Sequence, residues 1–259
     1  MILSRRPGPP LQSTVEWIWH HVSQDAGTHG RERVLPDGRF QMVLDLAAGA
    51  AAVSGLRSAH VVVDTAGVSC VMGVVFRPGA ARPFFEGSAL EFSNCSVPLA
   101  LVWGPRTSQL IDRLRSEASG LRRLGILEAA LVDIWSEHDS RGLTVHPVVT
   151  YALRTFQSAP CIKSVADVSR EIGWSRRWFA HAFGEAVGMT PKRYCRLLRF
   201  QDVVRQVASG RRVDWASLAV SSGYTDQAHL AHEFRAFSGL SPERFLRAER
   251  PSRNHVRLD

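Results

Sequence analysis

The sequence predicts a two-domain α+β protein: a small β-barrel or sandwich with two helices, then an all-α domain of two helix-turn-helix motifs joined by a long helix. Three observations predict it. Short apolar runs bounded by turn signals fill the first part of the chain. Amphipathic helices separated by glycines fill the second part, and that part repeats itself at an offset of 51 residues. We expect domains at 1–140 and 146–250 and a basic tail at 251–259.

Strand signals come first along the chain. A Pro-Asp-Gly turn at 36–38 precedes apolar residues that alternate with others over 40–46. Further strands are expected at 59–64 and at 68–76, the latter ended by an Arg-Pro-Gly sequence. Several short strands separated by turns are typical of a small sandwich or barrel.

Two helices are expected to close the first domain. Thr107 is placed to cap one that carries Leu110, Ile111 and Leu114. The other spans about 121–135, with apolar residues every three or four positions. That spacing fits pairing with a second copy of the chain; packing on the helix's own domain is the simpler interpretation and the one we favour.

The first domain shows no recognisable catalytic or metal-binding pattern. It lacks a P-loop, a dinucleotide-binding glycine motif and a nucleophile elbow, and its histidines form no HxH or HxxxH pair near a carboxylate. We therefore expect no enzyme, no metal and no cofactor. Arg77 and Arg82 lie in the sequence FRPGAARPFF and are candidates for binding an acidic ligand. Solvation is the commoner role for arginines in a loop.

The excess positive charge is confined to the second domain. Residues 1–145 hold 14 Lys+Arg and 14 Asp+Glu, whereas residues 146–259 hold 18 and 10, which accounts for the whole net charge of +8. A basic domain beside a neutral one indicates an anionic partner, most simply nucleic acid, although a solvated basic surface gives the same count. The four cysteines show no CxxC spacing, and neither a secretory signal nor a membrane span is apparent. We expect a cytoplasmic protein.

The first helix-turn-helix signal lies at 164–188. Ser164 can cap a helix, Gly173 suits the left-handed turn after it, and Ser175 can cap a second helix that ends at Gly188. Two short amphipathic helices around a glycine turn, with arginines opening the second, are the pattern of a DNA-reading motif.

A second copy of this motif follows at about 215–239, where Thr225 is expected to cap the second helix. Four pairs of matching residues are each 51 positions apart: Phe183, Gly188, Pro191 and Tyr194 match Phe234, Gly239, Pro242 and Phe245. The helix between the copies should run about 20 residues, or about 30 Å. Successive major-groove segments on one face of B-DNA are about 34 Å apart, so the chain is expected to read two adjacent segments.

Residues 147–250 resemble the C-terminal DNA-binding domain of the AraC/XylS family of transcription regulators. The likeness covers both motifs, the helix between them and the sequence GYTDQAHLAHEFRAFSGLSPERF at 223–245. Three stretches of the first domain are similar to the regulatory domain of an AraC-type subgroup: VLPDGRFQMVLDL at 34–46, GVVFRPGAARPFF at 73–85 and VPLALVWG at 97–104.

The resemblance implies a sequence-specific transcription regulator whose first domain senses an effector or mediates oligomerisation. The expected partner is double-stranded promoter or operator DNA. RNA polymerase, a small-molecule effector and a second copy of the chain are further candidates, and no membrane partner is expected. Two rival functions stay open: a β-barrel enzyme with an appended DNA-binding domain, and a non-specific nucleic-acid binder.

Exposed side chains in the first turns of each second helix are the candidates for base contacts: Arg176, Arg177, His181, Gln227 and His232. By the resemblance, Arg177 and His181 stand where bases are contacted. Arginine binds guanine through two hydrogen bonds, worth about 1–3 kcal/mol of discrimination, and glutamine suits adenine. Trp178 is expected to complete the core or its rim rather than to contact DNA.

Capped helix N-termini and nearby cations are the candidates for phosphate contacts. The predicted set is Ser164, Thr190, Lys192, Arg193, Arg196, Ser241 and Arg244. Because Asp226 and Glu233 belong to the second reading helix, we expect that helix to bind DNA more weakly than the first.

Overall fold

The computed structural model describes residues 2–23, 30–65, 69–139, 145–158, 163–209 and 213–258. The domain boundary expected just after residue 140, together with Cys161 and Gly210, lies outside these ranges. Nine strands are described: β1 Ile2–Arg5, β2 Val15–Ser23, β3 Arg31–Val34, β4 Gln41–Asp45, β5 Ala50–Ser54, β6 Val61–Asp64, β7 Ser69–Phe76, β8 Ser96–Pro98 and β9 His255–Arg257. The described α-helices are α1 Ala100–Trp103, α2 Arg106–Ser116, α3 Gly120–Asp139, α4 Pro147–Ser158, α5 Val165–Ile172, α6 Arg176–Val187, α7 Pro191–Val207, α8 Trp215–Ser221, α9 Gln227–Ser238 and α10 Pro242–Arg247.

The predicted fold class is confirmed: an antiparallel-sheet domain precedes a helical domain. Six strands form one sheet in the order β1-β2-β7-β4-β5-β8, and three form a second in the order β6-β3-β9. The alternation predicted for 40–46 puts Met42 and Leu44 of β4 fully inside. Apolar side chains of β7, Met72, Val74 and Phe76, join them in the core.

The structure corrects one helix start in the first domain. α2 begins at Arg106 with Pro105 before it, so Thr107 lies inside the helix, buried, and does not cap it. The predicted inward face of Leu110, Ile111 and Leu114 is confirmed.

The long helix α3 packs on its own domain. Leu124, Leu127, Leu131 and Ile134 are buried against α2, β2 and the segment 82–84, while Leu121 stays exposed. The favoured interpretation of its near-heptad spacing is therefore confirmed. In the described part of the chain, no helix combines the length and apolar composition that crossing a bilayer requires.

The end of the chain differs from the expected basic tail. Residues His255–Arg257 form β9, which pairs antiparallel with β3 of the first domain and places Val256 opposite Arg33. Val256 is buried, and Leu258 donates its backbone N–H to the carbonyl of Arg31. One apolar residue among polar ones gives no strand signal in sequence; the open edge of β3 supplies the pairing.

The helical domain is organised around α7. The helix pairs α5–α6 and α8–α9 form the two predicted motifs. The helix between them, α7, has 17 residues. Its length is about 25 Å at 1.5 Å per residue, which is shorter than the predicted length of about 30 Å. Its buried face carries six large side chains: Tyr194, Leu197, Phe200, Val203, Val204 and Val207. The Phe183 ring of the first motif packs on Tyr194, and two rings of the second motif pack on Phe200.

The two domains are docked against each other. Gln201 of α7 donates a hydrogen bond to the carbonyl of Pro36 at 2.7 Å, and His60 donates its backbone N–H to the carbonyl of Phe237 at 2.8 Å. The loop FRPGAARPFF also contacts the second domain. Gly79 of this loop lies so close to α4 that an added Cβ would stand 2.8 Å from the Leu153 side chain. This loop is therefore a contact between the domains.

Candidate nucleic-acid interface

Local hydrogen bonds fix where α5 ends and α6 begins. Ser164 and Asp167 form a reciprocal capping box at the start of α5, with N···O distances of 3.1 and 3.2 Å. Gly173 ends α5 in the left-handed conformation at φ 75°. Ser175 then accepts the N–H of Trp178, which starts α6 at Arg176. The first predicted motif is therefore present with its predicted caps.

The opening turns of α6 present a basic and aromatic surface. Phe179 and Phe183 point inward and are fully buried, whereas Arg176, Arg177 and His181 are exposed. Trp178 is 67% exposed, so of the two places expected for it, the core or its rim, the core is excluded. Its position next to Phe179 turns it about 100° away from the buried stripe. The ring lies 6.3 Å from that of His181, and with Arg177 the two line a shallow depression.

The second motif has the same construction with different capping residues. Asp214 caps α8, and Asp226 caps α9 by accepting the N–H of His229 at 2.8 Å. Thr225 is not the cap; its hydroxyl lies 3.3 Å from the His229 ring. Gln227 and His232 are exposed on α9, as predicted.

The repeat is therefore one of local geometry as well as sequence. The N-caps of the two reading helices, Ser175 and Asp226, are 51 residues apart, and so are the N-caps of the helices that follow them, Thr190 and Ser241. Each reading helix ends at a glycine in the left-handed conformation, Gly188 in α6 and Gly239 in α9. Three of the charges, however, are not repeated. Arg176 and Arg177 correspond to Gln227 and Ala228, and Lys192 corresponds to Glu243. The second reading surface is accordingly less basic than the first.

Most of the predicted phosphate-contact residues lie at helix starts beside α6 and α9. Thr190 caps α7 by accepting the N–H of Arg193, and Ser241 caps α10 by accepting the N–H of Arg244. Lys192 and Arg193 are exposed, and neither forms an ion pair with any residue in the described ranges. These two side chains are free to meet a phosphate.

Two members of the predicted phosphate set are engaged elsewhere. The Ser164 hydroxyl donates to the Asp167 carboxylate at 2.6 Å, so an anion already occupies this helix start. Arg196 donates from Nε and Nη2 to the two carboxylate oxygens of Glu233, each at 2.6 Å. Because both donors that form this fork are used, we reassign Arg196 from DNA contact to the positioning of α9.

The Arg196–Glu233 pair joins α7 to the second reading helix. Glu233 is only 7% exposed, and Arg196 holds the pKa of its carboxyl below the usual range. The sequence suggests that the charges of Asp226 and Glu233 weaken DNA binding. In the structure Asp226 caps α9 and Glu233 forms an internal ion pair with Arg196. A further residue that sequence reasoning missed is Arg199, which donates to the Gly223 carbonyl at 2.8 Å and lies over the Tyr224 ring.

Replacing Glu233 with glutamine is expected to destabilise the chain by about 1–2 kcal/mol at neutral pH, less than for a fully buried pair because the Arg196 side chain is 37% exposed. The folded-state pKa of Glu233 lies below its ordinary value of 4.5. The stabilisation from the ion pair is therefore complete above pH 4.5, and it is lost as the pH falls through the lowered folded-state pKa of Glu233.

Urea unfolding of the Glu233→Gln variant and the wild type between pH 7 and pH 3 measures this effect. Their difference should shrink toward zero at the acidic end. Glu137→Gln breaks the exposed pair with Arg106 and is the control, expected to change stability by less than about 0.5 kcal/mol. A Glu233→Gln difference independent of pH would contradict the assignment of the ion pair.

The first domain contacts α6 close to its exposed turns. Arg177, His181 and Gly184 follow one another at spacings of four and three, and so lie along one stripe of the helix. The short helix Ala89–Phe92 packs on the C-terminal end of that stripe. Leu90 lies against Gly184, and the carbonyl of Ala89 lies beside Gly188. A displacement of this helix would act directly on α6.

Comparison with known families identifies the second domain. A family model described as a helix-turn-helix domain matches residues 168–248. The C-terminal part of the chain is an AraC-type helix-turn-helix domain. This match supports DNA binding by residues 168–248, as in a transcription regulator.

A second family model, described as a domain of unknown function (DUF6597), matches residues 4–98, within the sheet domain that precedes the AraC-type domain. No curated protein matches the chain.

Solved structures include similar folds. ToxT from Vibrio cholerae aligns at 9% identity over 95% of this chain and 96% of its own, with a TM-score of 0.44. The C-terminal domain of AraT, a response regulator from Geobacillus stearothermophilus, aligns at 17% identity over 40% of this chain and 86% of its own, with a TM-score of 0.38. An AraC-type transcriptional regulator from Chromobacterium violaceum aligns at 19% identity over 39% and 89%, with a TM-score of 0.36.

Proposed function

We propose that this AraC-type regulator reads two adjacent major-groove segments of its operator, one with α6 and one with α9. Arg176, Arg177 and His181 contact bases in the first segment, and Gln227 and His232 contact bases in the second. Lys192, Arg193 and Arg244, with the capped helix starts at Thr190 and Ser241, contact phosphates on either side. The first segment contributes most of the specificity because both arginines of α6 lack counterparts in α9.

The observation that carries this proposal is the repeated geometry of the two reading helices. Each is capped at its start, ends at a left-handed glycine, exposes its opening turns and buries two phenylalanines, at least one of which packs on a ring of α7. A non-specific DNA binder needs only a basic surface. In this chain the second motif has the same helix geometry as the first, although it lacks the two arginines that open α6. This favours reading of bases at both positions.

We further propose that the first domain controls α6, by sensing an effector or by mediating dimerisation. The support is the contact of Ala89–Phe92 with the stripe of α6 that carries Arg177 and His181. Beside that contact lies a pocket of only about 10 Å³, formed by side chains of both domains and including Phe40, Arg82, Phe85 and Ala186.

Selection of bound sequences from a random DNA pool with the full chain tests the function. A specific regulator should enrich a common sequence and bind it at least about 10³-fold more tightly than bulk DNA. The selected site should contain two elements about one helical turn apart. Absence of any enriched sequence would favour the non-specific binder, and protection of a single groove segment would contradict reading by both helices.

Two substitutions separate base reading from phosphate contact. Arg177→Ala should weaken binding to the selected site by about 1–3 kcal/mol while leaving binding to bulk DNA nearly unchanged, because a bidentate guanine contact discriminates by that amount. Lys192→Ala should weaken binding to every DNA alike and reduce the slope of log K against log salt by about one unit. Titrations of both variants with selected and unrelated duplexes measure the effect. Equal losses for Arg177→Ala on the two DNAs would remove it from the base contacts.

A further inference from the structure

The first domain contacts both reading helices at their C-terminal ends. At α6, a Cβ on Gly188 would stand 2.9 Å from the carbonyl oxygen of Ala89. At α9, a Cβ on Gly239 would stand 2.4 Å from the His60 ring, and the His60 N–H donates to the carbonyl of Phe237 at 2.8 Å. Gly188 and Gly239 end the two reading helices at equivalent positions of the repeat. The first domain therefore meets the two motifs at matching points, through two of its own segments.

These two segments, 55–60 and 88–96, are hydrogen-bonded to each other inside the first domain. Asn94 is the link between them. Its side-chain oxygen accepts the N–H of Ser58 at 2.8 Å and the Ser58 hydroxyl at 2.7 Å. Its own N–H donates to the carbonyl of Leu56 at 3.1 Å. A movement of one segment is therefore transmitted to the other, and we call the joined segments the clamp.

Asn94 has a backbone conformation that few residue types adopt. Its φ is 60°, the one positive value among the described residues other than glycine. Asparagine and glycine are favoured in this region, whereas most side chains are strained there. On the other segment, Gly55 lies so close to the backbone of Phe92 that an added Cβ would stand 2.1 Å from its carbonyl oxygen. The two segments of the clamp are therefore fitted closely to each other.

On the helical side, the two reading helices are anchored at separate points of α7. Phe183 of α6 packs on Tyr194, and Phe234 of α9 packs on Phe200. The start of α9 lies seven residues before Phe234, about 10 Å along the helix. Rotation of α9 by about 20° around Phe234 would move that start by about 3.5 Å, close to the rise of about 3.4 Å per base pair. A second attachment at the other end of α9, through His60, opposes such a rotation.

We propose that the clamp sets the spacing between the two DNA segments that the chain reads. It fixes the ends of α6 and α9 relative to each other, so that their starts meet the DNA at one separation. This inference rests on the proposed reading by both helices and adds specificity for the distance between the two elements. Asn94 is a positioning residue, which acts through Ala89 and His60 on the two helix ends.

Amide hydrogen exchange of the DNA-free full chain tests the clamp itself. Asn94→Gly keeps the left-handed backbone but removes the acceptor for Ser58, whereas Asn94→Asp keeps an acceptor oxygen at the same place. In the glycine variant, the amides of His60 and of both helix ends should exchange about fivefold faster, as expected for the loss of about one net hydrogen bond. The aspartate variant should match the wild type. Unchanged exchange at either helix end in Asn94→Gly would overturn the clamp.

Binding to a spacing series of duplexes tests the consequence for DNA. The series contains the selected site and two derivatives, with one base pair added or removed between its two elements. The wild type and Asn94→Asp should bind both derivatives at least about tenfold more weakly than the selected site, because a misplaced element loses its base contacts. Asn94→Gly should bind all three duplexes with affinities within about threefold of one another, since its second reading helix can adjust.

His60→Ala removes the ring contact with the end of α9 and should relax the spacing in the same way, which keeps the test decisive if Asn94→Gly unfolds. Leu101→Ala, at an exposed position of the first domain, is the control and should keep the wild-type profile. A wild-type profile in both Asn94→Gly and His60→Ala, or a wild type that tolerates all three spacings, would overturn the inference. Failure of the proposed function gives a different result: selection would yield no site, or a site with one element, and would end the inference with it.

Discussion

Phe234→Ala is expected to lower the free energy of unfolding by about 3–5 kcal/mol, the usual cost of removing a buried phenylalanine side chain. Phe234 is 1% exposed, and its ring lies 5.1 Å from Phe200 of α7 and 5.3 Å from Phe245 of α10. Phe234 therefore packs α9 on both of these helices. Urea unfolding of the full chain, followed by circular dichroism, measures the loss.

The same substitution has a specific consequence for DNA binding under the proposed function. Because α6 is held by a separate group of rings on the Tyr194 side of α7, protection of the first groove segment should survive in Phe234→Ala while the second is lost. Phe183→Ala, at the matching position of the first motif, should reverse the pattern. Loss of both segments in either variant would show that the motifs do not act separately.

Trp178→Ala is the matched control for stability, since it removes a larger aromatic side chain from an exposed position. We expect it to change the free energy of unfolding by less than about 0.5 kcal/mol, as for other surface substitutions. A loss comparable to that of Phe234→Ala would mean that Trp178 belongs to the core after all.

Gly188→Ala is expected to cost about 2–4 kcal/mol, through two effects that add. Gly188 ends α6 at φ 88°, where any side chain is strained, and its new Cβ would stand 2.9 Å from the carbonyl oxygen of Ala89. That oxygen belongs to the backbone of the first domain and cannot turn aside as a flexible side chain would. The substitution therefore strains the helix end and the domain contact together.

Gly173→Ala separates the two effects. Gly173 has a similar φ of 75° at the end of α5, but a Cβ there meets nothing within 4 Å. Its expected cost is only that of the backbone strain, about 1–2 kcal/mol. The difference between the variants in urea unfolding thus reports the docking of Ala89–Phe92 on α6. Equal losses would contradict that docking in solution.

The sequence was most informative where structure depends on neighbours within a few positions. Ser164, Ser175, Thr190 and Ser241 cap the helices predicted for them, because a cap joins a side chain to an amide two or three residues away. The cap predicted at Thr225 lies one residue too early, since Asp226 offers the stronger acceptor at the adjacent position. The periodicity of Leu110, Ile111 and Leu114 likewise predicted the buried face of α2 even though its start was misplaced.

Prediction from sequence failed where a residue has two roles open to it and a distant partner decides between them. Arg196 is as basic as Lys192, yet its guanidinium is bound by Glu233, 37 positions along the chain. For Trp178 the sequence favours the core or its rim, and the core is excluded because Phe179 and Phe183 already fill the inward stripe.

By itself, the sequence determined the fold class, the two AraC-type motifs and the concentration of basic charge in the second domain, because caps, left-handed glycines and helical periodicity are local properties. Only the tertiary structure decided that β9 completes a sheet of the first domain and that Ala89–Phe92 lies against α6. These contacts join residues far apart in the chain, and their formation depends on shape and on an open sheet edge that no short stretch of sequence displays.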